Sequence, residues 1–266
     1  MARKISIWLI SVLLMLGTVV YQRLTGPTHP VRGSVEAAGA RVRFKLPRSD
    51  EGGERDLAIR VKAEGVAGRL EYCRYRSHDT WTSVSMIREG EDLVGWIPRQ
   101  PPAGKVLYRV TLLLEDGADI PLTREPVIVR FRGAVPGALL WAHIVLMFAT
   151  ITLCMRTGLG ALAREPRLGR LPLATFLTLL VGGGLLGPLV QLYSFGAYWT
   201  GWPLGTDLTD NKTAVALVVW AVALWRMKAR PPARGWVLLA VLVQLAIYLV
   251  PHSLLGSELD YTKMGG

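Results

Sequence analysis

Apolar residues run in five long blocks along this chain, at 5–21, 135–155, 171–193, 214–225 and 235–250, and a mostly polar stretch separates the first block from the rest. Most of the blocks approach the roughly 20 residues that carry a helix across the hydrocarbon core of a bilayer. The fourth covers only about 18 Å at about 1.5 Å per residue, so its helix is expected to begin upstream and to draw 207–213 into the membrane's outer layer. Within the polar stretch the period changes. VRFKL, LAIRVKA, LEYCRYR, WTSVSMI, LVGWI, VLYRVTLLL and VIVRFR are short β-like runs, many of them alternating apolar with polar positions, divided by turn-forming SDEGG, GVAG, SHD, EGED, PRQPPAG and EDGAD. Runs of this length and spacing predict an antiparallel β-sandwich. The preceding GPTHPVRGSV reads as a linker, because its prolines and glycines resist helix and strand alike.

The expected fold is therefore a membrane α-helical bundle of five transmembrane helices with an inserted extracytoplasmic antiparallel β-sandwich. Its parts are a signal-anchor helix and linker over 1–26, the sandwich over 27–132, a four-helix transmembrane bundle over 133–256 and an extracytoplasmic tail over 257–266. Composition agrees. The 266 residues are 51% hydrophobic with a mean hydropathy of +0.32, which is high for a soluble domain of this size.

Net charge +11 and a pI near 10.0 would ordinarily raise nucleic acid as a partner. The location of the charges argues against it. The stretch 27–132 holds 18 basic and 15 acidic residues, while much of the excess flanks apolar blocks: Arg3 and Lys4 before the first, Arg156, Arg164, Arg167 and Arg170 after the second, and Arg226, Lys228, Arg230 and Arg234 after the fourth. Basic residues in alternate short connections set the orientation by the positive-inside rule. The N-terminus is expected in the cytoplasm, with the β domain and C-terminus outside, in the inner membrane of a bacterial-type cell. The first block lacks a small-x-small cleavage site, which favours an uncleaved anchor over a signal peptide. Cys73 and Cys154 fall on opposite sides of the bilayer in this topology, so no disulfide framework is expected.

The stretch GWIPRQPPAGKVLYRVTLLLEDG, where a proline-rich turn leads into a strand carrying Tyr108, resembles immunoglobulin-like and fibronectin-III-like modules. The resemblance covers about 30–132 and implies an extracytoplasmic sandwich and no activity. His29 and His78 fit solvated linker and turn positions, and Trp81 and Trp96 fit sheet-face aromatics.

Candidate chemistry gathers at 195–213, FGAYWTGWPLGTDLTDNKT. Phe195, Tyr198, Trp199 and Trp202 suit an interfacial aromatic belt. Asp207, Asp210, Asn211 and Lys212 are harder to place beside an apolar helix. Asp207 fits an N-cap with Asp210 in the first turn, and Asp207, Asp210 and Asn211 share one helical face. His143 sits roughly 10 Å along the second apolar helix, where an ionisable side chain faces protein or water rather than lipid. Gly183, Gly187 and Gln191 share a face of the third, which suits tight helix packing. Gln244, Tyr248 and His252 form a polar stripe on the last. The expectation is an outer-half pocket of His143, Gln191, Tyr198, Asp207, Asp210, Asn211, Lys212, Tyr248 and His252, roofed by Trp199 and Trp202.

The same loop resembles the tryptophan-rich haem-handling segment of cytochrome c biogenesis membrane proteins, matched by Gly196, Tyr198, Trp199, Trp202 and Asp207. PLGT separates Trp202 from Asp207 here, so the compact Trp-Asp pair of that segment is missing. The resemblance implies haem b as a cofactor, with His143 and His252 as axial ligands. No Walker loop, HExxH, GxSxG or Rossmann fingerprint occurs. Three functions remain: a non-enzymatic envelope component whose sandwich binds a protein partner, a haem- or quinone-associated redox or biogenesis protein, and a small proton- or cation-coupled transporter. The first is the leading expectation. The lipid bilayer is the other expected partner, and the oligomeric state is left open.

Overall fold

The structure is a computed structural model that describes residues 2–52, 55–166, 168–229, 231, 233–251, 256 and 258–263. It divides into two compact units, Met1–Pro27 with Val135–Ser257 and Thr28–Ala134 with Glu258–Gly266.

The first unit is helical. In α1 (Ala2–Thr25), Ile7, Ser11 and Met15 recur at i, i+4 and i+8 and are buried, whereas Leu9 and Leu13 are 61% and 66% exposed. Burial of only one narrow stripe on so apolar a helix is compatible with a membrane span. α2 (Gly137–Leu162) begins directly after Pro136 and packs Ile151 and Met155 against Met15 of α1. Next come α3 (Leu171–Leu179), a π-helical turn at Leu180–Leu186 and α4 (Gly187–Phe195), which run on as one apolar rod. The π turn coincides with Gly182, Gly183 and Gly184. A Cβ on Gly182 would stand 2.9 Å from the Leu146 side chain, so close approach to α2 requires glycine there.

Three helices, Arg3–Thr25, Gly137–Leu162 and Leu171–Phe195, are long and apolar enough to cross a membrane. Two further helices complete the unit. α5 (Leu208–Ala229) has 22 residues but carries Asp210 and Lys212 at its start and Arg226 and Lys228 in its last turn. α6 (Arg234–Leu249) is apolar with 16 residues. Arg156, expected in a connection after the second apolar block, instead lies inside α2 and is 4% exposed, because the helix runs on to Leu162. Its guanidinium pairs with both oxygens of Glu165 at 3.0 and 3.1 Å and lies 5.5 Å from the Trp8 ring.

The second unit is built of eleven described strands. β1 (Val31–Ala37) and β2 (Ala40–Leu46) form a hairpin through Ala38 and Gly39, both at positive φ, 50° and 71°. A turn with positive φ at both central residues matches the twist of the flanking strands. A sheet of order β3 (Ser49–Glu51), β11 (Val127–Arg132), β9 (Lys105–Leu113), β5 (Ala67–Arg74) and β6 (Thr82–Ser85) also holds β10 (Asp119–Pro121) against β9. A third sheet has the order β4 (Leu57–Lys62), β8 (Asp92–Ile97), β7 (Ile87–Glu89). β3 joins β11 in parallel, and the other pairings are antiparallel. Leu46, Ile59, Leu70, Ile97, Leu112 and Phe131, drawn from all three sheets, are fully buried in one core. The Tyr108 hydroxyl crosses that core to donate to the Pro47 carbonyl at 2.8 Å.

Three expectations change here. Ser49–Glu51, expected within the turn-forming SDEGG, is a strand, because it pairs in parallel with β11, so the unit is not antiparallel throughout. Val31–Ala37 is a strand and not linker, because pairing with β2 outweighs the weak strand propensity of VRGSV. WTSVSMI is two strands in different sheets, broken at Met86, whose N–H bonds the Gly68 carbonyl at 2.8 Å. The C-terminal residues return to this unit: Leu259 N–H donates to the Ala103 carbonyl at 3.2 Å, Glu258 pairs with Arg76 and Lys105, and the Tyr261 hydroxyl donates to Gln100 Oε1 at 3.0 Å.

Candidate functional site

The loop between α4 and α5 is drawn down by carboxylates and amides that precede and open α5. Gly196, at φ 82°, ends α4 in the left-handed conformation that glycine adopts without strain. Thr200 and Gly201 then pass over the first turn of α5, where Asp210 Oδ2 accepts the Thr200 N–H at 2.6 Å and the Gly201 N–H at 2.9 Å. Gln191 of α4 donates through Nε2 to the same oxygen at 3.0 Å and to Thr200 Oγ1 at 2.8 Å. Asn211 Oδ1 accepts the Trp202 N–H at 2.7 Å. Asp207 caps α5, its Oδ1 accepting the Thr209 N–H at 2.8 Å, and its Oδ2 lies 3.3 Å from Thr200 Oγ1.

Gln191, Asp207 and Asp210 are each less than a tenth exposed. A buried carboxylate is costly unless donors surround it, and here three strong donors converge on one oxygen of Asp210. The loop must lie close for this to happen. A Cβ on Gly201 would stand 2.6 Å from the Asp210 Cβ, so that position needs glycine. The arrangement is a latch that binds loop to helix.

The expected pocket therefore divides in two. Gln191, Asp207, Asp210 and Asn211 come together, joined by Thr200, which the sequence reading omits. His143 and Tyr248 stand elsewhere, and Lys212, next to Asn211 on α5, sends its ammonium to another partner. His143 Nδ1 donates to the Gly182 carbonyl at 2.9 Å, and that carbonyl also accepts the N–H of Gly187, where the π turn passes into α4. A carbonyl only accepts, so Nδ1 bears the proton and Nε2 keeps its lone pair. The His143 ring borders a cavity of about 170 Å³ with Val19 and Gln22 of α1, Met147 and Phe148 of α2, and Tyr248 of α6. Lys212 Nζ donates to the Val250 carbonyl at 3.1 Å and borders a smaller cavity of about 30 Å³ that Gln22 and Tyr248 also line. Gln22 donates its amide to the Tyr248 carbonyl. Its part is not visible in sequence, since nothing in the first apolar block shows which helix it faces.

The expected roof is also different. Trp199 Nε1 donates to the Trp202 carbonyl at 3.1 Å, but Trp202 is 77% exposed and faces outward instead of covering the acids, and Tyr198, expected in the pocket, is 56% exposed and faces outward too. Gln244 is turned to Trp220, whose Nε1 donates to its Oε1. His252 lies outside the described residues. Among the described residues no group of three or more His, Cys, Asp or Glu side chains is placed to hold a metal ion. Cys73 and Cys154 are each buried and unpaired.

The chain matches no protein-family model, no curated protein and no solved structure.

Proposed function

We propose that the chain is a multi-pass membrane protein of a bacterial-type cell envelope that acts by binding a protein partner and stabilising a complex, without catalysing a reaction. In this reading all five helices cross or enter the inner membrane, with the N-terminus in the cytoplasm and the β unit, an immunoglobulin-like sandwich, outside. The observation that carries it is the state of Asp210. Two backbone N–H groups and an amide occupy one of its oxygens, so the most conspicuous acid serves the fold and is poorly suited to cycling a proton or cation through a transporter. The recognition role then passes to the β unit. On the outer face of β4, β8 and β7, Ile87 is 60% exposed beside a partly exposed Trp96, an aromatic and aliphatic pair of the kind that anchors interfaces. A photo-crosslinking amino acid at position 87 of the full chain, in its native membrane, is expected to give one discrete protein adduct. The same residue at position 162, on α2, is expected to give none. Equal labelling at both positions, or none at 87, rejects the partner-binding reading.

His143 supports a second reading, a redox or biogenesis protein. The Nε2 lone pair would accept a hydroxyl proton from a quinol head group, and an engineered apolar cavity of about 150 Å³ holds a benzene-sized ring. A porphyrin is several times larger, so the 170 Å³ beside His143 fits a quinol better than haem b. Purified protein that extracts with stoichiometric quinone and shows no Soret band would favour this reading. A Soret band lost in His143→Ala would instead restore haem.

A further inference from the structure

The β1–β2 ribbon gathers several bases without acidic partners on one face. Its exposed face carries Arg41, Arg43 and Lys45, alternating with buried Val42, Phe44 and Leu46. The antiparallel register sets Arg32 opposite Lys45, Ser34 opposite Arg43 and Glu36 opposite Arg41. Opposed residues share a face, so four cations stand there with one carboxylate. Arg41 Nε donates to Ser34 Oγ at 3.0 Å, and among the described residues none of the four cations forms an ion pair. Elsewhere in the unit many exposed bases are matched, Arg60 with Glu89, Lys62 with Glu91, Arg69 with Asp119, Arg74 with Asp79 and Arg109 with Glu71, and the exposed bases without an ion pair, Arg55, Arg88 and Arg124, stand in separate segments rather than on one face. Between β2 and β4 the surface sinks into a depression of about 460 Å³, lined by Arg41, Arg43, Lys62 and Glu64.

We propose that this ribbon docks on anionic phospholipid headgroups, with Arg41 and Arg43 gripping phosphate oxygens at the depression and Arg32 and Lys45 extending the contact along the strands. The inference rests on the membrane reading above. A guanidinium presents a planar fork of donors that matches phosphate oxygens two at a time, and positions 41 to 45 span about 13 Å of strand, enough for more than one headgroup. Covalent connection favours lipid over a free polyanion. α1 ends at Thr25 and β1 begins at Val31, so the intervening chain reaches at most about 20 Å. β11 ends at Arg132 and α2 begins at Gly137, a second short tether. Two such tethers hold the unit at high effective concentration against the surface of any membrane the helices cross. A base near an anionic surface strengthens association about fivefold.

The test uses the full chain with Ala40→Cys, exposed at the start of β2, carrying an environment-sensitive fluorophore. Cys73 and Cys154 are buried and leave position 40 as the reactive thiol. The protein is reconstituted into nanodiscs of phosphatidylcholine, or of phosphatidylcholine with phosphatidylglycerol, doped with nitroxide-headgroup lipid. Quenching is expected to rise severalfold with phosphatidylglycerol and to fall back in high salt. Arg41→Gln with Arg43→Gln is expected to weaken docking about 25-fold, two fivefold losses, while Arg41→Lys with Arg43→Lys keeps most of it and circular dichroism shows both variants folded. Equal quenching in the two lipid mixtures overturns the proposal. So does soluble polyglutamate that shifts the fluorophore in neutral discs as far as phosphatidylglycerol does, which would make the ligand an acidic protein segment. Protein that never enters discs rejects the membrane reading itself, a result distinct from entry without a headgroup response.

Discussion

Asp210 and Gly201 are joined by a hydrogen bond of 2.9 Å from the glycine N–H to Oδ2, the oxygen that also takes the Thr200 N–H. The carboxylate thereby does for the loop what a neighbouring strand does for a strand, accepting consecutive backbone donors.

Asp210→Ala removes that acceptor and leaves the Thr200 and Gly201 N–H groups and the Gln191 amide to find others. Each buried unsatisfied donor costs about 1 to 3 kcal/mol, so a loss of about 3 kcal/mol is expected in a thermal or chemical unfolding series of the detergent-solubilised chain. Asp210→Asn keeps one acceptor oxygen and should lose about half as much. An Asp210→Ala protein as stable as the parent would show that the acid is held for another purpose.

Gly201→Ala tests the same contact from the other side. Its Cβ would fall 2.6 Å from the Asp210 Cβ and 2.7 Å from Asn211 Oδ1. Overpacking of this kind costs about 2 kcal/mol, and limited proteolysis should cut the 196–207 segment faster than in the parent.

The β unit should weaken in acid. Arg109 hydrogen-bonds Glu71 and holds its carboxyl below the ordinary 4.5, and Arg74 does the same to Asp79 below 3.8. A carboxylate whose folded pKa is depressed stabilises the fold above its unfolded pKa, and that stability is lost as pH falls through the folded value. Melting temperature followed by the β signal in circular dichroism should be flat from pH 7 to about 5 and drop below about 4.5. Both pairs are partly exposed, so the drop is modest and shrinks in high salt. Glu71→Gln with Asp79→Asn should flatten it.

Glu165→Ala strands the Arg156 guanidinium inside the helical unit. Breaking one side of a buried pair costs about 3 kcal/mol or more, whereas Arg156→Met with Glu165→Leu removes both charges and should recover most of that loss. A double variant no better than the single would point to a role for the pair beyond folding.

The sequence carried the latch only in part. Asp207 ahead of an apolar run, with Asp210 three residues on, has the spacing of a capped helix start, and the structure places Asp207 at that cap. The loop that Asp210 holds could not be read, because a backbone donor has no residue type to betray it. In the sequence, Lys212 joins the acids by adjacency, and His143 and Tyr248 join them only by depth along their helices. Depth fixes one coordinate, and rotation about each helix axis fixes the other. That rotation sends His143 to Gly182 and the cavity beside α1. β1 is hidden in the sequence for a related reason: VRGSV is an unremarkable strand until ARVRFKL lies beside it in register.

The return of Glu258 and Leu259 to the β unit fixes an arithmetic property of the chain's path. Residues 28–134 and 258–263 belong to one folded body. In the proposed membrane reading such a body stays on one side of a bilayer, so the chain between its two segments would have to leave that side and return, and the proposed crossings there must be even in number. Two crossings by α2 and the α3–α4 rod would satisfy that parity, and so would four with α5 and α6 added; three would not. A proposed topology that places Lys4 and Lys105 on opposite sides then needs one more crossing, which only α1 can supply.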